Sequence, residues 1–346
     1  MLLMSSPLVG IIANPASGRD IRRLVAHGTV FDNNEKAAIV RRVLLGLEAV
    51  GIQRVAYMPE HDFGILPRAL NELHGHSQLQ QTAGSLEMPV LGTSADSTRA
   101  AQLLVEMGAG CIITLGGDGT NRAVARGCGT VPLIPISTGT NNVFPTFIEG
   151  TIAGMAAGLV AGGRVGDGVM RRAPRLVVLM NGMEKESALV DVVVSSVPFV
   201  GSRAIWDLST VREVVLSRVA PATIGLSALG GALLDHAAGS AEQAGMHIVL
   251  GDGGLQVLVA LAPGLIEWVA VTEYQRLAMN DVVRFPPGAG TVALDGEREI
   301  EIAVTSLVEV RLCADGPFVV DVPAALKAAA CTGHLQRQEV EPGNQL

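Results

Sequence analysis

The sequence predicts an α/β domain followed by a β-rich domain. Over the first part of the chain, apolar runs alternate with helix-like stretches, a pattern typical of strands joined by crossover helices. One run, residues 111–115, is apolar almost throughout, as expected of a strand covered on both faces of a parallel sheet. After about Arg164 the apolar runs become short, β-branched and separated by turn residues, which predicts a β-rich second half.

These observations divide the chain into three parts. We predict an α/β domain at 1–160, a β-rich domain at 161–330 and a flexible polar tail at 331–346. The last strand or helix of the second part can return to the first domain.

The elements of the first domain follow in order. A strand at 8–13 is followed by an amphipathic helix at 35–50, which Asn33 or Asn34 caps. A helix that opens at Ser94 or Asp96 ends at the glycines near 108–110. The other predicted elements are strands at 55–58, 89–91, 111–115 and 133–136 and a short helix at 121–126.

The second half contains a series of short apolar runs. Each run is bounded by glycine, proline or polar turn residues, so each predicts a strand. The clearest lie at 176–180, 189–194, 257–261, 268–272, 292–294 and 308–312.

Composition excludes several classes of protein. Of the 346 residues, 49% are hydrophobic and only 17% are charged, whereas disordered chains are polar and highly charged. The 41 glycines follow no three-residue period, which excludes collagen. The net charge of −8 argues against a nucleic-acid partner, since such proteins present a basic face.

Targeting and metal signals are missing from the sequence. No apolar run is long enough to span a bilayer, and the first residues lack a basic segment before an apolar one, so we expect a cytoplasmic protein without a membrane partner. The four cysteines have no C-x-x-C spacing, so we expect no metal site.

The sharpest local feature is the segment L-G-G-D-G-T at 115–120, which lies directly between a predicted strand and a predicted helix. Glycines at such a junction let a phosphate approach the backbone, and the N–H groups of the helix start then face the anion. Asp118 within this segment suits a general base for a hydroxyl nucleophile. The alternative is that Asp118 only caps the helix, and the pattern favours neither role.

Familiar alternatives fit the sequence poorly. The chain has no G-x-x-x-x-G-K-[ST] segment and no early G-x-G-x-x-G, which disfavours P-loop enzymes and standard Rossmann dehydrogenases. The segment G-L-S-A-L-G at 225–230 has its second glycine one position too late for a serine-hydrolase nucleophile.

Four segments, in this order, resemble the superfamily that joins NAD kinases with diacylglycerol and sphingosine-type lipid kinases. They are N-P-A-S-G at 14–18, G-G-D-G-T at 116–120, S-T-G-T-N-N at 137–142 and L-D-G-E at 294–297. Segments 188–194 and 223–231 are more similar to NAD kinases, although Val190 stands where that family has asparagine and Gly225 where it has tyrosine. The resemblance covers about 8–312 and is strongest to the NAD-kinase-like acetoin catabolism protein X group.

This resemblance implies a fold, an activity and a site. The fold would be an N-terminal α/β domain of the NAD kinase type and a C-terminal β-sandwich, with the active site between them. The activity would be ATP-dependent phosphoryl transfer to a hydroxyl of NAD or a related nucleotide, with Mg²⁺ arriving with the ATP, in a homo-oligomer.

The resemblance also implies roles for individual residues. Asp118 would take the proton from the acceptor hydroxyl, with Glu297 able to share that duty. The acceptor would contact Asp191, Thr223 and Asp295. The nucleotide-binding residues would be Asn14, Gly116, Gly117, Gly119, Thr120, Asn121, Thr138, Gly139, Thr140, Asn141 and Asn142.

Two other functions stay open. Glu297 and the N-P-x-S-G opening also match kinases of a lipid or another small alcohol. The departures at Val190 and Gly225 fit a nucleotide-binding accessory protein with weak catalysis. Two residues have plain structural alternatives as well, because Asn14 is followed by proline in a turn-like pair and Asp295 precedes Gly296 as in a hairpin turn.

Overall fold

The structure is a computed structural model. It describes residues 6–17, 27–28, 31–61, 64–75, 78–199, 208–234 and 245–336, apart from the side chains of 298 and 299. Gly18 of the first motif and most of the predicted tail lie outside the described residues.

The helices and strands are numbered in chain order. The strands are β1 (Leu8–Ala13), β2 (Arg54–Tyr57), β3 (Thr82–Ser85), β4 (Ala109–Gly116), β5 (Leu133–Ser137), β6 (Met170–Arg172), β7 (Arg175–Met180), β8 (Met183–Ala188), β9 (Asp191–Ser195), β10 (Val211–Leu216), β11 (Gly245–Ala262), β12 (Leu265–Leu277), β13 (Val282–Arg284), β14 (Gly290–Leu294), β15 (Glu297–Ile302), β16 (Val308–Cys313) and β17 (Phe318–Val320). The helices are α1 (Asn33–Ala49), α2 (Ile65–Gly75), α3 (Ser94–Glu106), α4 (Asp118–Ala125), α5 (Gly150–Ala161), α6 (Leu226–Ala232) and α7 (Val322–Cys331).

The N-terminal sheet has the strand order β3-β2-β1-β4-β5-β17-β6. Its strands from β3 to β17 pair in parallel, and β6 pairs antiparallel to β17. Helices α1, α2, α5 and α7 pack on one face, and α3 and α4 on the other. The predicted parallel sheet with flanking helices is therefore confirmed.

The C-terminal half is built from two antiparallel sheets, with orders β12-β11-β10-β9-β14-β15 and β13-β16-β7-β8. Val192, Val215 and Leu294 of the first sheet share one buried core with Leu176 and Val310 of the second, which makes a sandwich. Helix α6 covers the other face of the six-stranded sheet.

The two halves are connected twice. The chain leaves the N-terminal sheet after β6, forms the sandwich, and returns as β17 and α7. Strand β17 lies between β5 and β6, so the N-terminal sheet contains strands from both ends of the chain.

Some predicted local elements are wrong. Residues 89–91 form no strand, and the third strand is β3, with the sequence T-A-G-S. Because β3 is an exposed edge strand, its sequence contains no apolar run to reveal it. Helix α1 begins one residue after Asp32, whose carboxylate accepts the Glu35 N–H, so neither predicted asparagine is the cap.

Helices α1 and α5 are in backbone contact. A Cβ on Gly154 would lie 2.2 Å from the Val43 carbonyl oxygen, and one on Gly46 would lie 2.2 Å from that of Thr151. Only glycine allows this approach, so Gly46 of α1 and Gly154 of α5 have a packing role. The contact fixes α1 beside the sheet, close to the segment that follows β1.

No helix in the described part of the chain combines the length and apolarity needed to cross a bilayer.

Candidate active site

Three of the motif segments meet at one edge of the N-terminal sheet. Strands β1, β4 and β5 are adjacent and parallel, so the segments that follow them leave at the same edge. Asn14 Nδ2 donates to Thr120 Oγ1 at 2.9 Å, and the hydroxyls of Ser17 and Thr138 are 3.0 Å apart. We call segments 14–17, 116–121 and 137–142 together the loop cluster.

A buried lysine holds the first of these segments. Lys36 of α1 is fully buried, and its Nζ donates to the carbonyl oxygens of Asn14 at 2.9 Å and Ser17 at 2.6 Å. Asn14 also accepts the Ala16 N–H at 2.9 Å, so it shapes a turn as well as contacting Thr120. Sequence analysis missed Lys36, although a lysine among the apolar positions of an amphipathic helix was a usable signal.

The glycines of the second segment leave no room for side chains except at one point. A Cβ on Gly116 would lie 2.5 Å from the Thr120 Cβ, and one on Gly117 would lie 2.8 Å from Asn142 Oδ1. At Gly119 the nearest atom is Glu297 Oε1, at 4.0 Å. The start of α4 therefore presents an open backbone surface, where the first N–H groups have no intrahelical partner and fit a phosphate.

Two of the predicted nucleotide-binding asparagines form hydrogen bonds to other groups of the protein. Asn121 is fully buried, accepts from Thr114 Oγ1 at 2.6 Å and donates to the Gly117 carbonyl oxygen at 2.9 Å. Asn142 Nδ2 donates to Ser137 Oγ at 2.9 Å and to the Gly139 carbonyl oxygen at 3.2 Å. Their amide groups shape the loop cluster, which leaves backbone groups and hydroxyls to face a ligand.

Asp118 connects the start of α4 to the segment that follows β5. It is the first residue of α4, after the N-cap Gly117. Its carboxylate accepts the N–H groups of Val143, at 3.1 Å from each oxygen, and of Phe144 at 2.7 Å. The side chain therefore fixes the segment after β5 instead of capping its own helix.

A pocket lies between the two halves, and we call it the interdomain pocket. Asp118 and Asn141 line it from the N-terminal side, and Asp191 and Asp295 line it from the sandwich. Thr223 does not line it, because its hydroxyl donates to the Ala220 carbonyl oxygen at 2.7 Å within a turn. The other walls are apolar and come from Val143, Leu208, Ile224, Leu226, Leu261, Ala262 and Leu265.

Asp295 occupies the hairpin turn that the sequence offered as one alternative. It forms the β14–β15 turn with φ of 51° and is one of the residues that line the pocket, but its side chain has no exposed surface. The carboxylate accepts the N–H groups of Leu189 at 3.0 Å, Val190 at 2.8 Å and Asp191 at 3.3 Å. Burial raises the pKa of Asp295, and Arg122 and these N–H groups oppose that rise.

Two arginines of the site gave no sequence signal. Arg122 of α4 is buried with its Nε 3.7 Å from Asp295, so it contacts the opposite half of the molecule. Arg218 follows β10, and its guanidinium lies 5.2 Å above the Phe144 ring. Burial lowers the pKa of Arg218 while Asp118 and Asp295 oppose that shift, and its buried Nε has no hydrogen-bond partner among the described residues.

The two departures from the NAD kinase pattern have structural causes. Val190 is buried in a small core with Phe144 and Leu189, so its side chain packs instead of facing a ligand. Gly225 lines the pocket with φ of 81°, a conformation that residues with side chains rarely adopt. The backbone here is therefore built for glycine and not for tyrosine.

Family models match both halves of the chain. The ATP-NAD kinase N-terminal domain matches residues 9–165, and the acetoin catabolism protein X C-terminal domain matches 174–315. Acetoin catabolism protein X of Cupriavidus necator (strain H16) is 38% identical over 348 residues, which covers 97% of this chain and 96% of that protein.

Solved structures are more distant. A protein of Bacillus anthracis str. Sterne described as "a putative diacylglycerol kinase" has a TM-score of 0.45 at 14% identity, covering 92% of this chain and 98% of that one. A second structure under that description has a TM-score of 0.42. The sequence relationship over nearly the whole length shows that the chain belongs to the acetoin catabolism protein X family, with an N-terminal domain of the NAD kinase type.

Proposed function

We propose that this protein transfers a phosphoryl group from ATP to a hydroxyl of an acceptor held in the interdomain pocket. The observation that carries the proposal is the position of Asp118, which belongs both to the loop cluster and to the pocket wall. The acceptor oxygen forms a bond to the γ-phosphorus, the bond to the β–γ bridging oxygen breaks, and ADP leaves. The acceptor proton passes to the Asp118 carboxylate.

The loop cluster supplies the groups that would hold ATP. The open backbone at Gly119 and the first N–H groups of α4 fit a phosphate, and the hydroxyls of Ser17 and Thr138 lie beside them. Mg²⁺ that arrives with the ATP would neutralise the charge that develops during transfer. Glu297 Oε1 lies near Gly119, which places this second carboxylate next to the proposed base.

The acceptor candidates are NAD or a related nucleotide and a small alcohol. The match of the N-terminal half to NAD kinases supports the nucleotide, and the apolar walls of the pocket support the alcohol. Asp191 lines the pocket with Asp118 and would contact either acceptor, while the buried Asp295 would hold the backbone of residues 189–191 in place. Because the Cupriavidus relative is named for acetoin catabolism, we place the activity in that metabolic setting.

One observation favours a second function, that of a nucleotide-binding accessory protein without catalysis. The Asp118 carboxylate accepts N–H groups from Val143 and Phe144, which is a sufficient structural reason for its presence. Such a protein would bind ATP through the loop cluster and release no ADP with any acceptor.

The test measures acceptor-dependent ADP release by the wild type, Asp118→Asn and the control Asp252→Asn, which removes an exposed carboxylate on β11. Loss of general base catalysis lowers kcat by roughly 10²- to 10⁴-fold, so we expect that loss for Asp118→Asn only. Calorimetric titration with ATP should give similar Kd values for all three proteins.

Two results would contradict the proposal. Undiminished kcat in Asp118→Asn would remove Asp118 from the chemistry. ATP binding with no ADP release across nucleotide and alcohol acceptors would establish the accessory function instead.

A further inference from the structure

We infer that the acceptor of the interdomain pocket is a compact aliphatic alcohol with more than one hydroxyl, and not a dinucleotide. This inference rests on the proposed phosphoryl transfer for its chemistry, but it concerns the ligand that the pocket binds. It is carried by two properties of the pocket wall, which are its apolar side chains and its carboxylates.

The apolar part of the wall comes from two separate elements. Ile224 and Leu226 lie at the start of α6, and Leu261 and Leu265 lie on either side of the β11–β12 turn. A hydrocarbon chain that binds between these side chains is transferred out of water. Each methylene group buried in this way strengthens binding by about fourfold. This wall suits a carbon skeleton without charge.

The polar part of the wall consists largely of hydrogen-bond acceptors. Asp118 and Asp191 line the pocket, and an ionised carboxylate can only accept hydrogen bonds. The carboxylate of Asp295, a third lining residue, has no exposed surface and accepts backbone N–H groups instead. In the described part of the chain no three acidic, histidine or cysteine side chains are grouped closely enough to hold a metal ion, so the acidic residues of the wall do not form one cation site. A ligand that matches Asp118 and Asp191 presents more than one O–H donor.

A dinucleotide matches this wall poorly. Its pyrophosphate carries negative charge and offers only acceptors, and none of the described residues that line the pocket is basic, so that charge would stay unpaired there. The glycine at 225, with φ of 81°, leaves the wall without the aromatic side chain that NAD kinases place there. A diol or triol with a short alkyl body satisfies both parts of the wall.

The experiment compares 1,2-alkanediols of increasing chain length, the 1-alkanols of equal length, and NAD. Acceptor-dependent ADP release gives kcat/KM, and the shift in Tm without ATP reports binding alone. We expect kcat/KM for the diols to rise about fourfold per added methylene until the pocket is filled. We expect each diol to bind at least about tenfold more tightly than the alkanol of its length, and NAD to give no Tm shift.

Two positions in the same strand provide a matched pair of variants. Leu261 lines the pocket, whereas Leu258 is 51% exposed on the outer face of β11. Leu261→Asn should weaken diol binding at least about tenfold, and Leu258→Asn should leave it unchanged. Leu265→Asn on β12 is a second pocket variant in case the first does not fold, and ATP affinity should be unaffected in all of them.

The outcomes separate the inference from the proposed function. ADP release with NAD, at a higher kcat/KM than with any diol, would overturn the inference and uphold phosphoryl transfer. Diol binding that Leu261→Asn abolishes, without ADP release from any acceptor, would uphold the ligand class and overturn the transfer. Equal Tm shifts for wild type and Leu261→Asn, or no shift with any diol, would overturn the inference.

Discussion

The loop cluster and the sandwich side of the interdomain pocket are built in different ways. The loop cluster consists of short segments that directly follow three adjacent parallel strands, and its glycines and hydroxyls contact one another. The sandwich side gathers residues from β9, α6, the β11–β12 turn and the β14–β15 turn. The first arrangement follows from the strand order alone, whereas the second depends on the packing of distant parts of the chain.

This difference separates two kinds of recognition. Backbone groups at strand ends bind phosphates whatever the rest of the ligand is. Side chains brought together from distant elements determine which ligand fits, so changes there alter the acceptor without disturbing the phosphate site. Val190 and Gly225, the two departures from the NAD kinase pattern, both lie on the sandwich side.

The largest expected effect is at Asp295, where the sandwich side is held together. Asp295→Ala leaves three buried N–H groups without their acceptor and removes the partner of the buried Arg122. Breaking such a buried network lowers the free energy of unfolding by about 3–5 kcal/mol. Urea unfolding measures this loss of stability, and Asp252→Ala, a substitution of an exposed aspartate, is the control. A loss below 1 kcal/mol would show that the pocket wall does not depend on this turn.

The second largest effect is expected at Lys36, whose side chain holds segment 14–17 of the loop cluster in place. Lys36→Met removes a charged donor from the carbonyl oxygens of Asn14 and Ser17, a loss of about 2 kcal/mol. If this loss is felt fully in ATP binding, the Kd for ATP should rise about thirtyfold, because each 1.4 kcal/mol corresponds to a factor of ten, while binding of the acceptor is unchanged. Lys327→Met, on an exposed position of α7, is the control. A variant that weakens acceptor and ATP binding equally would show that the two sides are not separable.

Replacing Gly119 of the loop cluster by alanine should weaken ATP binding and stabilise the fold. The new Cβ of Gly119→Ala meets no protein atom closer than 4.0 Å, and alanine favours a helix by up to about 1 kcal/mol. The same Cβ stands where a phosphate would approach, so ATP binding should weaken about tenfold. Thermal unfolding and calorimetry measure the two effects, and Gly84→Ala on β3 is the control. Unchanged ATP affinity would place the phosphates elsewhere.

The smallest effect is a pH dependence of stability on the sandwich side. Burial raises the pKa of Asp295 above its usual value of 3.8, so the folded state binds the proton more tightly than the unfolded state does. The stability contributed by this carboxyl is therefore complete at acidic pH and is lost as the pH rises through its folded pKa. In wild type the free energy of unfolding should therefore decrease as the pH rises through the pKa of Asp295. In Asp295→Asn, which cannot titrate at this position, that decrease should be absent. An identical pH profile in the variant would assign the decline to other groups.

The sequence was informative where structure and chemistry are local. Asp118 and the glycines beside it lie between a strand and a helix, so the loop they form was predictable from residues 115–120. Strand β3 and helix α5 were not, because an exposed edge strand needs no apolar run and a glycine-rich helix has a sequence similar to that of turns. Arg122 and Arg218 were unpredictable for another reason: each has a charged neighbour in the other half of the chain, far away in sequence.

The return of the chain to the N-terminal sheet has a consequence for how the protein is made. Strand β17 fills the place between β5 and β6, and it lies at Phe318–Val320, near the end of the chain. During synthesis the N-terminal sheet therefore stays incomplete until the whole sandwich has left the ribosome. A fragment that ends after β6 would expose the edge of β5 to other chains, so the N-terminal half should not be stable or soluble when expressed alone.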